Sequence, residues 1–175
     1  MRRTNRLITK EAIYFYNHRK TRVDWMLDYQ GMVVLAANQV WWTWEVEDVF
    51  KRMSQGEKQA LKQYAKKMHK LIDDLVRRIT QPLKKNDRRK INTVLIIDVH
   101  ARDIVDTFVR DSITDAREFE WESQLRFYWV KEPDELFVRQ CSAQFSYGYE
   151  YMGLNGRLVI TPLTDRIYLT LTQVL

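Results

Sequence analysis

The chain has 175 residues, with 29 Lys and Arg against 23 Asp and Glu, a net charge of +6. Apolar residues make up 45% and aromatic residues 13%, which excludes a disordered polyelectrolyte and leaves enough material for one packed core. The single cysteine, Cys141, excludes an internal disulfide and points to a reducing compartment, and neither a secretory leader nor an apolar run of roughly 18 residues occurs.

Taken in order, residues 4–20 carry a moderate apolar stripe (Leu7, Ile8, Ala12, Phe15, Tyr16) that predicts a short helix. Residues 24–53 predict a long one. Its apolar residues fall on two faces, Val33, Ala37, Val40 and Trp44 on one and Leu35, Trp42, Val46, Val49 and Met53 on the other. A helix of that kind is buried from several sides. Gly31 marks a kink or a helix start. Trp41, Trp42 and Trp44 could stack on a ligand, but packing anchors between helices are the better reading.

Ser54-Gln55-Gly56-Glu57 matches a capping box and predicts that the next helix begins there. Leu61, Tyr64, Met68, Leu71, Ile72, Leu75, Val76 and Ile79 recur at three and four, and Pro82 ends the run. Lys62, Lys66, Lys67, Lys70, Arg77 and Arg78 fill the opposite face. Residues 51–90 hold 14 Lys and Arg against four Asp and Glu. Such a stretch binds phosphates or an acidic surface, or is simply a solvated helix face.

Asn86 or Asp87 can cap the following segment. Within it, TVLIIDVH reads by composition as a buried strand ending in an acid, as where a nucleotide hydrolase holds magnesium. Asp98, His100 and Asp103 could also be metal ligands. Against both, no phosphate loop precedes the stretch and Val99 follows Asp98. Asp98, Arg102, Asp106 and Arg110 alternate in sign at spacings of four, which predicts an ion-pair ladder along one helix, roughly 87–114. Residues 117–129 predict a further helix with Phe119, Leu125 and Trp129 inward. From Glu135 the period changes to two, so one or two strands follow, and the helix-to-strand switch is placed near 131–135.

The last 29 residues supply a turn (Gly153, Asn155, Gly156) and a short apolar run, Arg157 to Ile160, suited to a buried strand. Thr161 then caps a helix with Pro162 at its first position and Leu163, Ile167, Leu171 and Val174 on one face. The pattern is still running at Leu175, and the opening Met1-Arg2-Arg3 is no natural domain edge. Both predict a longer parent protein.

Four stretches, VVLAANQVWWTWEVE, IIDVHARDIVD, FEWESQLRFYW and YGYEYMGLNGRLVITPLTDR, resemble segments of dynein heavy chains, in the same order. The wording is most similar to axonemal, inner-arm chains. That resemblance implies a mainly α fold. A helical bundle or rod, the C-terminal part of the linker (1–131), is followed by short strands and the first helix of an incomplete AAA+ α/β module (132–175). It implies a piece of the ATP-driven, minus-end-directed microtubule motor of cilia and flagella, coupling the nucleotide state of the first module to linker movement. By the same resemblance, Leu158, Val159, Ile160, Thr161, Pro162 and Leu163 lie on the adenine side of the ATP site. ATP and magnesium belong to the full-length motor, with none expected to bind tightly to this piece. The implied partners are the rest of the heavy chain and, through the full-length protein, intermediate and light chains and microtubules, with no nucleic acid and no membrane. No Gly-x-x-x-x-Gly-Lys-Ser/Thr occurs in these residues, so no ATP hydrolysis is expected of this chain alone. Two other readings stand beside this one: a basic helical binding module, and a small hydrolase using Asp98 and His100.

Overall fold

The computed structural model describes residues 1–19, 21–153 and 160–175. In chain order the elements are α1 (Arg2–Phe15), α2 (Arg22–Asp28), α3 (Gly31–Ser54), α4 (Ala60–Ile79), α5 (Lys85–Arg110), α6 (Phe119–Glu122), β1 (Arg126–Val130), β2 (Glu135–Gln140), β3 (Ala143–Ser146) and α7 (Pro162–Val174). This is the mainly α architecture expected, a helical bundle followed by short strands and a helix.

The long helix expected over 24–53 is two, α2 and α3. Tyr29 and Gln30 are extended between them, and Gly31 opens the second. Thr21 caps α2 by accepting the Asp24 amide at 3.1 Å. The other end of α2 is closed by Lys90 of α5, whose buried ammonium donates to the carbonyls of Met26 (3.0 Å) and Tyr29 (2.6 Å). A cation there satisfies orphan carbonyls and opposes the helix dipole. Burial pushes the Lys90 pKa down, with Asp87 and Asp28 pulling the other way. Two indole N–H groups close α1 in the same fashion: Trp25 donates to Ala12 at 2.9 Å and Trp41 to Ile13 at 2.8 Å.

Ser54-Gln55-Gly56-Glu57 is a helix stop, not the helix start expected from its capping-box pattern. Gly56 has φ +103. Its amide donates to Met53, and the Glu57 amide reaches back to Arg52 at 3.1 Å. These paired bonds require a left-handed residue, which glycine supplies without a steric penalty. The Ser54 hydroxyl is turned back onto the Lys51 carbonyl, and α4 starts only at Ala60. At the end of α5 the Ile113 amide reaches Phe108 at 2.9 Å, with Ser112 at φ 56. Neither Asn86 nor Asp87 caps α5, whose N-cap is Lys84.

Helix α3 is the centre. It packs on α1, α4, α5 and β1. One apolar cluster joins its C-terminal half (Trp42, Val46, Val49, Phe50) to Leu61, Tyr64 and Met68 of α4, Val105 and Phe108 of α5, and Trp121. A second joins its N-terminal half to Ala12, Trp25, Met26, Leu75, Ile91 and Val94. A third, smaller one sets Ala36 and Val40 against Leu136 of β2 and Tyr149. The tryptophan trio is thus divided: Trp42 is a buried anchor 5.2 Å from the Trp121 ring, Trp41 stacks on Tyr16, and Trp44 is exposed.

Residues 126–130, expected at the end of a helix over 117–129, form β1 instead. Only Phe119–Glu122 is helical, and Phe119 and Leu125, expected inward, are exposed. The helix-to-strand switch therefore comes at Arg126, ahead of 131–135. β1, β2 and β3 make an antiparallel sheet in that order, with Arg126 opposite Arg139, Val130 opposite Glu135, and Phe137 opposite Ser146. Thr43 of α3 fixes the sheet on the bundle: its hydroxyl donates to Gln39 and accepts the Phe127 amide at 3.0 Å. Glu47, one turn on, receives the Trp121 indole at 3.2 Å and the Tyr128 hydroxyl. At the β1–β2 turn, Asp134 accepts from Arg6 and Lys10 of α1, each at 2.8 Å, and from the Trp129 indole at 2.9 Å.

The expected ion-pair ladder on α5 does not form. Arg102 pairs with Asp103 and Arg110 with Asp111, while Asp106 lies 2.8 Å from His69 of α4. Asp98 turns inward and is 2% exposed. Its Oδ2 accepts Arg22 Nη1 at 2.6 Å, and its Oδ1 accepts Arg22 Nη2 at 2.9 Å and Asn38 Nδ2 at 3.1 Å. Arg22 Nη2 also donates to Asn38 Oδ1 at 2.5 Å. Burial is the largest influence and opposes the Arg22 charge, but the Asp98 carboxylate and Tyr16 together outweigh it and raise the pKa.

Two measurements test these ties. Asp98→Ala leaves the Arg22 guanidinium buried and unpaired, so denaturant unfolding should show a loss of about 3–5 kcal/mol. Arg22→Met combined with Asp98→Leu should recover most of it. Asp134 is held at a pKa of about 2 by hydrogen bonds from Lys10, then Trp129 and Arg6. A depressed carboxylate stabilises the fold above its unfolded pKa and loses that contribution as pH falls. The stability difference between the protein and Asp134→Asn should therefore be present at pH 6 and shrink between about pH 4 and pH 2 in thermal melts.

Candidate functional site

The residues expected on the adenine side of a nucleotide site begin in a part of the chain that lies outside the described residues: Leu158 and Val159 are not described, nor are residues 154–157, which cover most of the expected turn and strand. Ile160, Thr161, Pro162 and Leu163 are. They form the head of α7, and its construction follows the sequence expectation. Thr161 is extended (φ −130, ψ 164), and its hydroxyl accepts the Thr164 amide at 3.3 Å. Thr164 returns the bond by accepting the Thr161 amide at 2.8 Å. Pro162 occupies the first helical position, where its missing N–H is not needed. Asp165 in the first turn complements the helix dipole and lies 3.7 Å from His100 of α5.

The other end of α7 is tied to the sheet. Gln140, the last residue of β2, is buried and makes three polar contacts at once. Its amide donates to Ser123 at 2.8 Å, its side-chain oxygen accepts the Thr172 hydroxyl at 2.9 Å, and its carbonyl accepts Gln173 Nε2 at 3.0 Å. Ser142 in the β2–β3 turn adds a bond to Gln173 at 3.0 Å. Cys141, at φ 48, turns the strand so that its amide reaches Glu122 at 2.8 Å.

No residue of α7 is buried. Its apolar stripe is exposed: Leu163 68%, Ile167 51%, Leu171 54%, Val174 80%. The helix is thus fastened mainly by polar groups, with Leu169 half-buried between them, and presents a continuous apolar face.

Neither alternative reading of the sequence finds a site. Asp98 spends both oxygens on Arg22 and Asn38, whereas Asp103 is exposed and paired with Arg102, and no metal-binding group of His, Cys, Asp or Glu occurs among the described residues. The α4 lysines and Arg77 project into solvent opposite a buried Leu61-Tyr64-Met68-Ile72-Leu75 face, the arrangement of an ordinary bundle helix. A cleft of about 540 Å³ lies elsewhere, lined by Met53, Lys58, Leu61, Lys62, Val109 and Asp115 among others, and none of the described adenine-side residues, Ile160 to Leu163, borders it. Arg22, Asn38 and Gln140 were not singled out from sequence. Nothing local marks them, because their partners are 16 to 76 residues away.

Residues 147–175 match a family model described as the hydrolytic ATP binding site of dynein motor region. With the bundle and sheet before it, this match defines the class of protein: part of a dynein motor region. The whole chain is 77% identical to human dynein axonemal heavy chain 10. It is 55% identical to the Chlamydomonas reinhardtii dynein-1-alpha heavy chain of the flagellar inner arm I1 complex, and 45% identical over 173 residues to a ciliary dynein beta chain of Tripneustes gratilla. The chain belongs to the dynein heavy-chain family. It spans about 4% of the length of each of these relatives.

The polar fastening of α7 gives a direct prediction. Gln140→Leu keeps the buried volume but removes the side-chain bonds to Thr172 and Ser123. Hydrogen exchange across 162–174 should accelerate about tenfold, as the loss of one net hydrogen bond implies, with α3, α4 and α5 keeping their protection.

Proposed function

We propose that this chain is the joint through which the first ATP-binding module of an axonemal dynein heavy chain moves its linker. Residues 1–131 are the linker's C-terminal helices, and residues 132–175 begin the module. The division falls inside the β1–β2 hairpin, which makes the sheet the joint itself. The observation that carries this reading is the chain of ties from Thr43 and Glu47 of α3, through the sheet, to Gln140 and on to α7. Displacement of α7 pulls on a hydrogen-bonded sheet, and the sheet pulls on the most buried helix of the bundle.

The chemistry of this part is binding and transmission. Ile160, Thr161, Pro162 and Leu163, with Leu158 and Val159 before them, border the adenine: backbone groups read its edge, and Val159, Ile160 and Pro162 enclose its faces. Phosphate binding and hydrolysis fall to a phosphate loop outside these residues, where ATP and magnesium bind in the full-length motor. The exposed apolar face of α7 suits packing against further elements of that module. In the full-length motor the partners are the remainder of the heavy chain, intermediate and light chains, and microtubules, and the place of action is the axoneme of a cilium or flagellum.

The full-length heavy chain provides the test. Ile160→Glu should weaken ATP binding by at least about tenfold, as expected for a charge set against an apolar base face. Gln140→Leu should leave ATP affinity and basal hydrolysis in place while microtubule gliding slows by about half or more, because nucleotide state no longer reaches the linker. Normal gliding in Gln140→Leu would remove the sheet from the transmission path, and unchanged ATP affinity in Ile160→Glu would remove the adenine-side assignment.

A further inference from the structure

Among all the Ser and Thr residues, only two have Lys or Arg at both the second and third positions before them: Ser54, after Lys51 and Arg52, and Thr80, after Arg77 and Arg78. Thr80 alone has arginine at both. The two hydroxyls sit alike, each at the C-terminal end of a helix and donating to the carbonyl three residues back, Ser54 to Lys51 at 2.6 Å and Thr80 to Arg77 at 2.7 Å. Their surroundings differ. Arg52 lies 3.4 Å from Glu57 and 3.9 Å from Asp48, so its charge is neutralised by carboxylates, and Ser54 lines the cleft between α3 and α5. Arg77 is exposed and forms no ion pair among the described residues, and Arg78 donates only to the Pro82 carbonyl at 3.2 Å. Both hydroxyl residues are exposed, so the difference lies in the charges around them.

We propose that Thr80 is a phosphorylation site for a protein kinase of the class that reads arginine two and three residues before its target. Guanidinium groups at those positions fit carboxylates in the kinase's peptide groove, which bind them in bidentate fashion. In the transfer, Thr80 Oγ forms a bond to the γ-phosphorus of ATP as the bond to the bridging oxygen breaks. ADP departs, and the hydroxyl proton passes to the kinase's aspartate. The last turn of a helix frays readily, so Arg77 to Thr80 can extend into the groove. Pro82 keeps the helix from continuing past it.

The product alters the turn between α4 and α5. Arg88 of α5 holds that turn by donating to the carbonyls of Ile79 (2.8 Å) and Gln81 (3.4 Å), on either side of Thr80. A phosphate there carries a charge of about −1.5 to −2 and offers three strong acceptors. It removes the hydroxyl donor that closes on Arg77, opposes the dipole of α4 at its negative end, and takes Arg88 from the two carbonyls. The modification therefore loosens one end of the α4–α5 pair, far along the bundle from α7.

The experiment treats the whole chain with ATP and the catalytic subunit of cyclic-AMP-dependent kinase, and locates phosphate by mass spectrometry. A peptide covering 74–84 is labelled in parallel. Phosphate is expected at Thr80, absent in Thr80→Val, and at least about tenfold slower in Arg78→Gln, which loses a bidentate charge-assisted contact. Circular dichroism checks that both variants keep the helix content of the parent. Hydrogen exchange across 77–84 should be faster in the phosphorylated chain. Three outcomes overturn the assignment: phosphate confined to Ser54, phosphate at Thr80 that is indifferent to Arg78→Gln, or a labelled peptide alongside an unlabelled chain.

Discussion

Asp98 is a carboxylate with almost no access to water, and the bundle is arranged around that constraint. A buried charge is tolerated only when its lone pairs are filled by donors of the right geometry. Here the donors come from two other helices, Arg22 at the start of α2 and Asn38 in the middle of α3. The three helices must therefore arrive together. A slip of one turn in any of them would leave a charge unmatched, an error that apolar packing around Val33, Ile97 and Ala101 would not detect by itself. The same logic repeats at lower stakes where Lys90 meets the end of α2 and where Trp25 and Trp41 meet the end of α1. Polar groups set the register, and apolar burial supplies the bulk of the driving force.

The sheet is joined to the bundle in a different manner. Its strands are short, and only Leu136 and Gln140 of β2 and Arg126 of β1 are fully buried. What holds it is a row of specific bonds to one face of α3, from Thr43 and Glu47, and a second anchor at Asp134 reaching back to α1. Two antiparallel hairpins fixed at both ends behave as a stiff plate. That is why a helix attached to the far corner, at Gln140 and Ser142, is mechanically linked to α3 through the sheet.

Much of this was legible in the residues. The periodicity of α4 and α5 and the Thr161-Pro162 cap each rest on rules that act within a few residues, and each is present, while Gly31 left a kink and a helix start both open. The failures have two causes. Ser54-Gln55-Gly56-Glu57 satisfies a start pattern and a stop pattern equally. Glycine in a left-handed turn decided for the stop because α3 still had carbonyls to satisfy. Residues 126–130 have the composition of either element and became a strand because Glu135 to Gln140 lay ready to pair with them. Asp98 obeys the spacing of a surface ladder and is drawn inside by an arginine 76 residues earlier. In the first case a local turn decided between two patterns, and in the other two a partner elsewhere in the chain outvoted the local pattern. The candidate site was legible in its capping chemistry, while its attachment through Gln140 left no trace in sequence spacing.

The fastening of α7 carries a thermodynamic consequence. Because none of its residues is fully buried, releasing it from Gln140, Ser142 and His100 hands polar groups to water and uncovers little apolar surface, chiefly that of half-buried Leu169. The heat-capacity change and denaturant sensitivity of unfolding both scale with the surface uncovered, so for this release both should be small. Movement of α7 is then decoupled from the stability of the bundle. It does not draw on the cooperative unfolding transition. A moving part with such a signature can cycle many times without bringing the helices behind it any closer to denaturation.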